Sequence, residues 1–190
     1  GPLSKQPSIR NGAAFRPDER TIIQSLRQAG YYTGVTGKWH NDLDLKQYWQ
    51  KIPKDADPKD PLVIADLKAI QDELRVRLNR YGFDYAEHIS EGNLEYFPAA
   101  LEHHNIEYTI KGAVDFLDLA PKNKPFFLWA AFTTTHGPHE PIDSGDARNT
   151  PEGYSEDHLG LMPDRSEYID KSKQWRNIVK ETVLWMDGGI

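Results

Sequence analysis

Lysine and histidine side chains cluster at two places in this sequence, and each cluster follows a segment with the composition of a β-strand. The first cluster is Lys38 and His40, and the second is His136 and His139. Because residues two apart in an extended chain point to the same side, Lys38 and His40 are predicted to face one direction and Trp39 the other. A lysine charge beside a histidine donor suits an oxyanion such as sulfate or phosphate. The clusters therefore favour an oxyanion site, against the alternative of a surface lysine and loop histidines held by their neighbours.

The elements that carry these clusters alternate between helix and strand. Apolar spacing and turn residues predict helices over 17–29, 63–78, 108–119 and 166–187, and strands over 31–36 and 126–132. The second strand is apolar without alternation, which is typical of a central parallel strand buried on both faces. The whole pattern predicts an α/β domain with a mostly parallel sheet flanked by helices. Ligands of such sheets bind beyond the carboxyl ends of the strands, so the two clusters are expected to converge on one ligand.

Composition narrows the class of partner. A length of 190 residues suits about one domain, and the net charge of −6 argues against a nucleic acid held by a basic face. No apolar run reaches the roughly 18 residues of a membrane span. The absence of cysteine excludes disulfides, a thiolate metal site and a cysteine nucleophile from these residues. Two polar, turn-rich stretches, 41–61 and 142–165, are predicted to be exposed excursions.

Two further groups of polar residues allow more than one interpretation. His40, Asp42 and Asp44 could face one side of an extended loop and bind a metal, although a solvated acidic loop is the favoured interpretation. His103 and His104 stand near a predicted helix start, where a pair satisfied by local hydrogen bonds is favoured over a functional one.

One stretch resembles a known family. Residues 30–40, GYYTGVTGKWH, look like the second signature of the sulfatases, a Gly-Tyr-x-Thr run that closes on Gly-Lys-Trp-His. Other stretches fit the order of the same family, at residues 81–84, 125–128, 135–138 and 185–190. The resemblance covers residues 9–190 and points to an arylsulfatase-like type I sulfatase of the alkaline-phosphatase-like superfamily.

The resemblance implies a role for each candidate residue. Lys38 matches the lysine that contacts the sulfate and the activated nucleophile, and His40 matches the histidine that steadies a formylglycine hydrate. His136 matches the histidine that contacts the sulfate and can protonate the leaving alcohol. Trp39 and His139 are expected to contribute to substrate binding.

The resemblance also implies cofactors and partners. The family uses formylglycine and a divalent cation, usually calcium, and their residues are expected outside this chain. A small-molecule or glycan sulfate ester is the expected partner, with no nucleic acid and no membrane. An exported location, whether periplasmic, extracellular or lysosomal, is implied as well.

Departures from the family pattern limit what these residues can do alone. The nucleophile motif, Cys or Ser-x-Pro-x-Arg, is absent; residues 6–10 look similar, but Lys5 stands at the nucleophile position. Paired metal-binding Asp residues are expected upstream, and an Asp-Asn pair with a second lysine downstream. Asn41 and Asp42 replace the usual Leu-Gly after the signature histidine.

These departures predict an internal piece of a longer protein. Residues 1–16 are interpreted as an irregular segment whose Gly1-Pro2 resembles a protease scar, and residues 17–190 as part of a sulfatase-like catalytic domain. Alone, the piece is expected to be inactive. Two alternatives for the parent protein are a phosphonate or phosphate ester hydrolase of the same superfamily and a non-catalytic relative that binds sulfated glycans.

Overall fold

A three-stranded parallel sheet with helices on both faces forms the centre of the molecule. The computed structural model describes residues 19–41, 49–157, 159, 161–173 and 177–190. In chain order the main elements are α1 Ile22–Gln28, β1 Tyr32–Trp39, α2 Pro61–Arg80, β2 Tyr85–Glu91, α3 Ile106–Leu119, β3 Phe126–Ala131, α4 Arg165–Ser172 and α5 Ile178–Asp187. A short antiparallel pair, β4 Asn149–Thr150 and β5 Gly153–Tyr154, lies between β3 and α4. The predicted α/β class, a mostly parallel sheet flanked by helices, is confirmed.

Alternate residues of β1 face different helices. Val35 and Trp39 join the apolar cluster that α1 and α2 cover. On the other face Gly34 lies against Phe116 of α3, and the Thr36 hydroxyl donates to the carbonyl of Thr109, also in α3 (3.3 Å). This alternation is the period of two that an extended chain requires. It places Lys38, two residues beyond Thr36, on the α3 side of the sheet.

The central strand is β1, and the prediction of a central, doubly buried strand at 126–132 was wrong. Among the described residues the strand order is β2-β1-β3, so β3 is an edge strand. Phe126 and Trp129 of β3 are 51% and 46% exposed. An apolar run indicates that a strand packs against the core. It does not indicate how many strands pair with it, and so it does not distinguish a central strand from an edge strand.

A glycine explains why β1 can occupy the centre. Gly37 has φ +84, and a Cβ built on it would lie 2.0 Å from the carbonyl oxygen of Ala131. Only glycine tolerates both the left-handed backbone and this approach of the neighbouring strand. The structure also extends the predicted strand 31–36 to Trp39, so Lys38 lies within the strand and not in the loop after it.

Local capping decides where two predicted helices begin. The predicted start at residue 17 lies outside the described residues; in the described part α1 begins at Ile22, after a capping box in which the Thr21 hydroxyl accepts from Gln24 N. The single helix predicted over 166–187 is two helices. The second, α5, has its own N-cap, Asn177, whose side chain accepts from the amides of Val179 and Lys180.

The two predicted excursions contribute to the core and are not wholly exposed. Trp49 is 1% exposed and packs its ring edge-on against Phe97, 4.2 Å between centroids. Ile142 is buried in a second apolar cluster with residues of α3, α4 and α5. In the part of the chain that the structure describes, no helix has the length and apolarity needed to cross a membrane.

Candidate functional site

Lys38 ends β1 on the α3 side of the sheet, where β2 also ends. Its ammonium group, partly buried, donates to Oδ1 of Asn93 (3.0 Å), two residues after β2. Burial lowers the pKa of Lys38, and the nearby carboxylate of Glu95 opposes this. An ammonium group has three hydrogens, so the bond to Asn93 fixes its position and leaves two for an anion.

His40, directly after β1, experiences the charges of two other residues, Lys38 and His136. Burial lowers the pKa of His40 most, and the charges of Lys38 and His136 lower it further, while Glu95 opposes them. The clusters that contain these residues were predicted to converge, and the structure brings both Lys38 and His136 within electrostatic range of His40. A lowered pKa keeps the His40 ring neutral at pH 7, able to accept at one nitrogen and donate at the other.

His136 is the exposed member of the group. It follows β3 in a turn closed by its own amide, which donates to the carbonyl of Thr133 (3.2 Å). Nδ1 of His136 is 2.8 Å from the carbonyl oxygen of Gly137. Because a carbonyl oxygen only accepts, Nδ1 carries a hydrogen, and Nε2 is left to meet a ligand.

A buried histidine holds the loop that carries His136. The ring of His104 is 6% exposed and connects Oγ1 of Thr133 (2.9 Å, Nδ1) with the carbonyl oxygen of Pro138 (2.8 Å, Nε2). Its neighbour His103 places Nε2 3.1 Å from the carbonyl oxygen of Asp146. The prediction of a satisfied histidine pair is confirmed for both rings. His104 acts on the site indirectly, by fixing the two ends of the turn around His136.

The two residues expected to bind substrate lie in different surroundings. Trp39 is 4% exposed and packs in the core, 6.0 Å from the ring centroids of Tyr81 and Phe83. This burial puts the indole on the opposite face of β1 from Lys38, so the structure lends no support to substrate contact by Trp39. His139 is exposed on the His136 loop, and its role stays a prediction.

Of the three residues proposed as an alternative metal site, the structure describes only His40. Asp42 and Asp44 lie outside the described residues, as do residues 5–10, which resemble a nucleophile motif. Within the described ranges, no three His, Asp or Glu side chains lie close enough together to hold a metal ion.

Sequence reasoning missed the polar residues that follow β2. Asn93 and Glu95 were not singled out, yet Asn93 contacts Lys38 and Glu95 acts electrostatically on both Lys38 and His40. They were missed because the sequence pattern predicts no strand at 85–91; had β2 been recognised, their place just after it would have been the signal, since the carboxyl ends of parallel strands meet at one edge. Chemically, the arrangement offers one fixed cationic donor, Lys38, to a tetrahedral oxyanion, with one neutral imidazole and one exposed imidazole beside it.

Comparison with known proteins agrees with this geometry at the level of the family. A family model described as Sulfatase matches residues 3–187, nearly the whole chain. Among curated proteins, none matches the chain significantly. The parallel sheet with flanking helices is consistent with the α/β fold of that family, of which the chain represents a part.

Proposed function

The chain belongs to the sulfatase family, and from this premise we propose that it serves the hydrolysis of sulfate esters, with Lys38, His40 and His136 forming part of the sulfate pocket. The proposal is supported by the place of Lys38 and His40 at the carboxyl end of β1 and by the charges of Lys38 and His136, which both act on the pKa of His40. A sulfate ester carries a single negative charge spread over its oxygens, and fixed donors of this kind suit it.

Lys38 supplies the permanent charge of the proposed pocket. Hydrolysis of a sulfate ester builds negative charge on the sulfuryl oxygens and on the departing oxygen. An ammonium group already held in place by Asn93 stabilises that charge without having to reorganise during the reaction. Its partial burial strengthens the interaction, because fewer water molecules screen it.

The two histidines take different roles because their surroundings differ. His40, partly buried and neutral, can hold a proton at one nitrogen and accept one at the other, and so can orient a nucleophilic hydroxyl group. His136 is exposed, with Nδ1–H turned to Gly137, so only the doubly protonated ring carries a proton on Nε2; in that form Nε2 can deliver the proton to the leaving alcohol and return to the neutral state. Proton delivery matters most when the alcohol is a poor leaving group.

The family generally uses a divalent metal and formylglycine, which supply Lewis-acid stabilisation and the nucleophile when present. The described residues include no group that fits a metal ion, and the chain has no cysteine from which formylglycine could form. The steps above therefore involve only the side chains of this chain.

The test is a sulfatase assay on the full-length protein that contains this chain. With p-nitrophenyl sulfate, Lys38→Ala should lower kcat by roughly 10²–10³-fold, the usual loss when one transition-state donor is removed. The melting temperature should change little, because the Lys38 side chain lies outside the apolar clusters of the described residues. Lys124→Ala, an exposed lysine in the turn before β3, is the matched control.

Other outcomes would select an alternative. Faster hydrolysis of p-nitrophenyl phosphate or of a phosphonate ester than of p-nitrophenyl sulfate would make the protein a phospho-ester hydrolase. Binding of a sulfated saccharide without turnover would make it a non-catalytic relative. Full turnover by Lys38→Ala would remove Lys38 from the site.

A further inference from the structure

A cavity of about 300 Å³ opens beside the loop that carries His136. It lies between the segment before α3 and the segment that leads from β3 to β4. Its walls are formed by small residues and by polar side chains, among them Ala99, Glu102, His103, Glu140, Ser144 and Asn149. A volume of this size is at the lower end of those that hold small ligands.

The cavity and the proposed sulfate pocket share one loop, which is held by His104. His136 and Glu140 belong to one loop, and both of their charges act on the pKa of His104, which burial lowers first. The His104 ring also fixes Thr133 and Pro138, at either end of the turn around His136. A substrate whose sulfate group meets His136 can therefore extend toward Glu140.

The opposite wall of the cavity is held rigidly. The Arg165 guanidinium donates to the carbonyls of Ile142 and Gly145 (3.1 and 3.2 Å) and makes a bidentate ion pair with Glu107 of α3 (2.8 and 2.9 Å). Both partners of that ion pair are largely buried. The 142–145 segment is thus tied to α3, which makes the cavity a preformed feature of the fold.

Three side chains that line the cavity each donate a hydrogen bond within the protein. The Ser144 hydroxyl donates to Oε2 of Glu140 (2.9 Å), and Nε2 of His103 donates to the carbonyl of Asp146 (3.1 Å). Nδ2 of Asn149 donates to the carbonyl of Ala100 (3.2 Å). The groups on these walls that can still form hydrogen bonds with a ligand are mainly acceptors.

The two carboxylates of the cavity differ in whether a cationic side chain pairs with them. Glu102 forms an ion pair with Lys54 (2.6 Å). For Glu140, the structure shows no ion pair with any residue that it describes, and the serine hydroxyl on Oε2 leaves Oε1 free to accept. The cavity thus presents one uncompensated negative charge among acceptors.

We propose that this cavity is the subsite for the organic part of the substrate, that it takes an uncharged, hydroxyl-bearing group such as a sugar ring, and that Glu140 excludes a second anionic group there. The proposal rests on the proposed function of the adjacent pocket. Sugar hydroxyls supply the donors that the walls lack, and a carboxylate accepts them well. A second sulfate or a carboxylate on the ring would meet the charge of Glu140 in a partly enclosed site, where like charges repel more strongly than in water.

The test compares three substrates on the full-length protein: p-nitrophenyl sulfate, a monosulfated monosaccharide and the same monosaccharide with two sulfates. In Glu140→Gln, kcat/KM for the monosulfated sugar, divided by kcat/KM for the disulfated sugar, should fall about tenfold, the scale of one charge-assisted hydrogen bond. The aryl sulfate has no sugar, so normalising to it removes any general loss of activity.

Two matched variants keep the result interpretable. Glu140→Asp retains the charge and should retain most of the preference for the monosulfated sugar. Glu156→Gln removes an exposed carboxylate after β5 and should leave the ratio at the wild-type value. An unchanged ratio in Glu140→Gln, or the same change in Glu156→Gln, would overturn the proposal while the sulfatase function stands.

Absence of hydrolysis would contradict the proposed function and still leave the subsite open to measurement. Isothermal titration with the two sulfated monosaccharides would then measure their dissociation constants, and the ratio of these constants would replace the ratio of kcat/KM values. A tenfold fall in Glu140→Gln would support the subsite, and equal affinities of wild type and variant for both sugars would reject it.

Discussion

His136 differs from Lys38 and His40 in the exposure of its side chain, and this difference separates their proposed roles. Lys38 and His40 are partly buried, and burial lowers the pKa of both. Among the residues that the structure describes, the carbonyl of Gly137 is the group that orients the exposed ring of His136. A group that must meet leaving alcohols of different shapes benefits from such exposure, whereas a group that holds the sulfate itself needs a fixed position.

Removal of His136 should therefore affect substrates unequally. In His136→Ala, kcat/KM for sulfate esters of weakly acidic alcohols should fall by about 10²–10⁴-fold, the usual contribution of general acid catalysis. Esters of acidic phenols should lose much less, because their oxygen departs without a proton. The measurement is a plot of log kcat/KM against the pKa of the leaving alcohol, which should be steeper for the variant.

His139→Ala is the comparison variant, since it removes an exposed histidine from the same loop. If His139 only binds substrate, as predicted, its loss should raise KM without changing the slope of that plot. Equal losses across all leaving groups in His136→Ala would assign His136 to sulfate binding and remove it as the acid.

The central strand depends on close approaches that only glycine allows. Gly34 receives the ring of Phe116, because a Cβ there would lie 2.4 Å from two ring atoms. Gly112 of α3 is in a similar position, because a Cβ built on it would lie 2.2 Å from Oγ1 of Thr36. Together with Gly37, these contacts bring α3 and β3 close to β1. This packing fixes the position of Lys38 relative to the loops after β2 and β3.

Substitution of Gly37 should test that packing. Gly37→Ala combines the left-handed backbone cost of about 1–2 kcal/mol with overpacking of about 1–3 kcal/mol against Ala131, so the free energy of unfolding should fall by roughly 2–5 kcal/mol. Urea unfolding followed by tryptophan fluorescence measures the loss.

Gly30→Ala is the matched control, because Gly30 has φ +93 with open space around its would-be Cβ. The free energy of unfolding of Gly30→Ala should fall only by the cost of the left-handed backbone, about 1–2 kcal/mol. The same loss in both variants would mean that the approach of Ala131 contributes nothing measurable.

At the scale of the whole molecule, buried histidines connect elements that are distant in sequence. His103 and His104 join the start of α3 to the loops after β3. His88, at the bulge of β2, packs its ring against Tyr108 of α3 (4.6 Å between centroids) and lies 3.5 Å from a carboxylate oxygen of Asp115. Burial is the main cause that lowers the pKa of each of the three rings.

The fold should consequently lose stability in mild acid. The unfolded chain binds protons at its histidines near pH 6.5, whereas the folded chain binds them only at lower pH. The unfolded state then holds more protons below pH 6.5, so the free energy of unfolding falls as the pH decreases from 7 to 5. Each ring contributes at most about 1.4 kcal/mol per pH unit.

Urea unfolding at several pH values between 5 and 8 measures this dependence. His104→Gln should make it less steep, because one buried titrating ring is removed, and His139→Gln, at an exposed position, should leave it unchanged. A stability that stays constant from pH 7 to pH 5 would contradict the prediction.

The sequence by itself determined the family, the α/β class and the residues around which the site is proposed. These conclusions follow from short-range patterns: the run GYYTGVTGKWH, apolar spacing typical of helices, and polar residues directly after two strands. Helices α2 and α3 were predicted to within about two residues at either end, since apolar faces and turn residues are local signals.

Only the tertiary structure decided how these pieces meet. Strand order depends on which surfaces pair over long sequence distances, and an apolar run such as 126–132 gives no indication of it, so β3 was misplaced at the centre. The contact of Asn93 with Lys38, the support of the His136 loop by His104, and the cavity beside Glu140 each join residues at least 29 positions apart. Such contacts are created by the packing of whole elements, which local spacing does not encode.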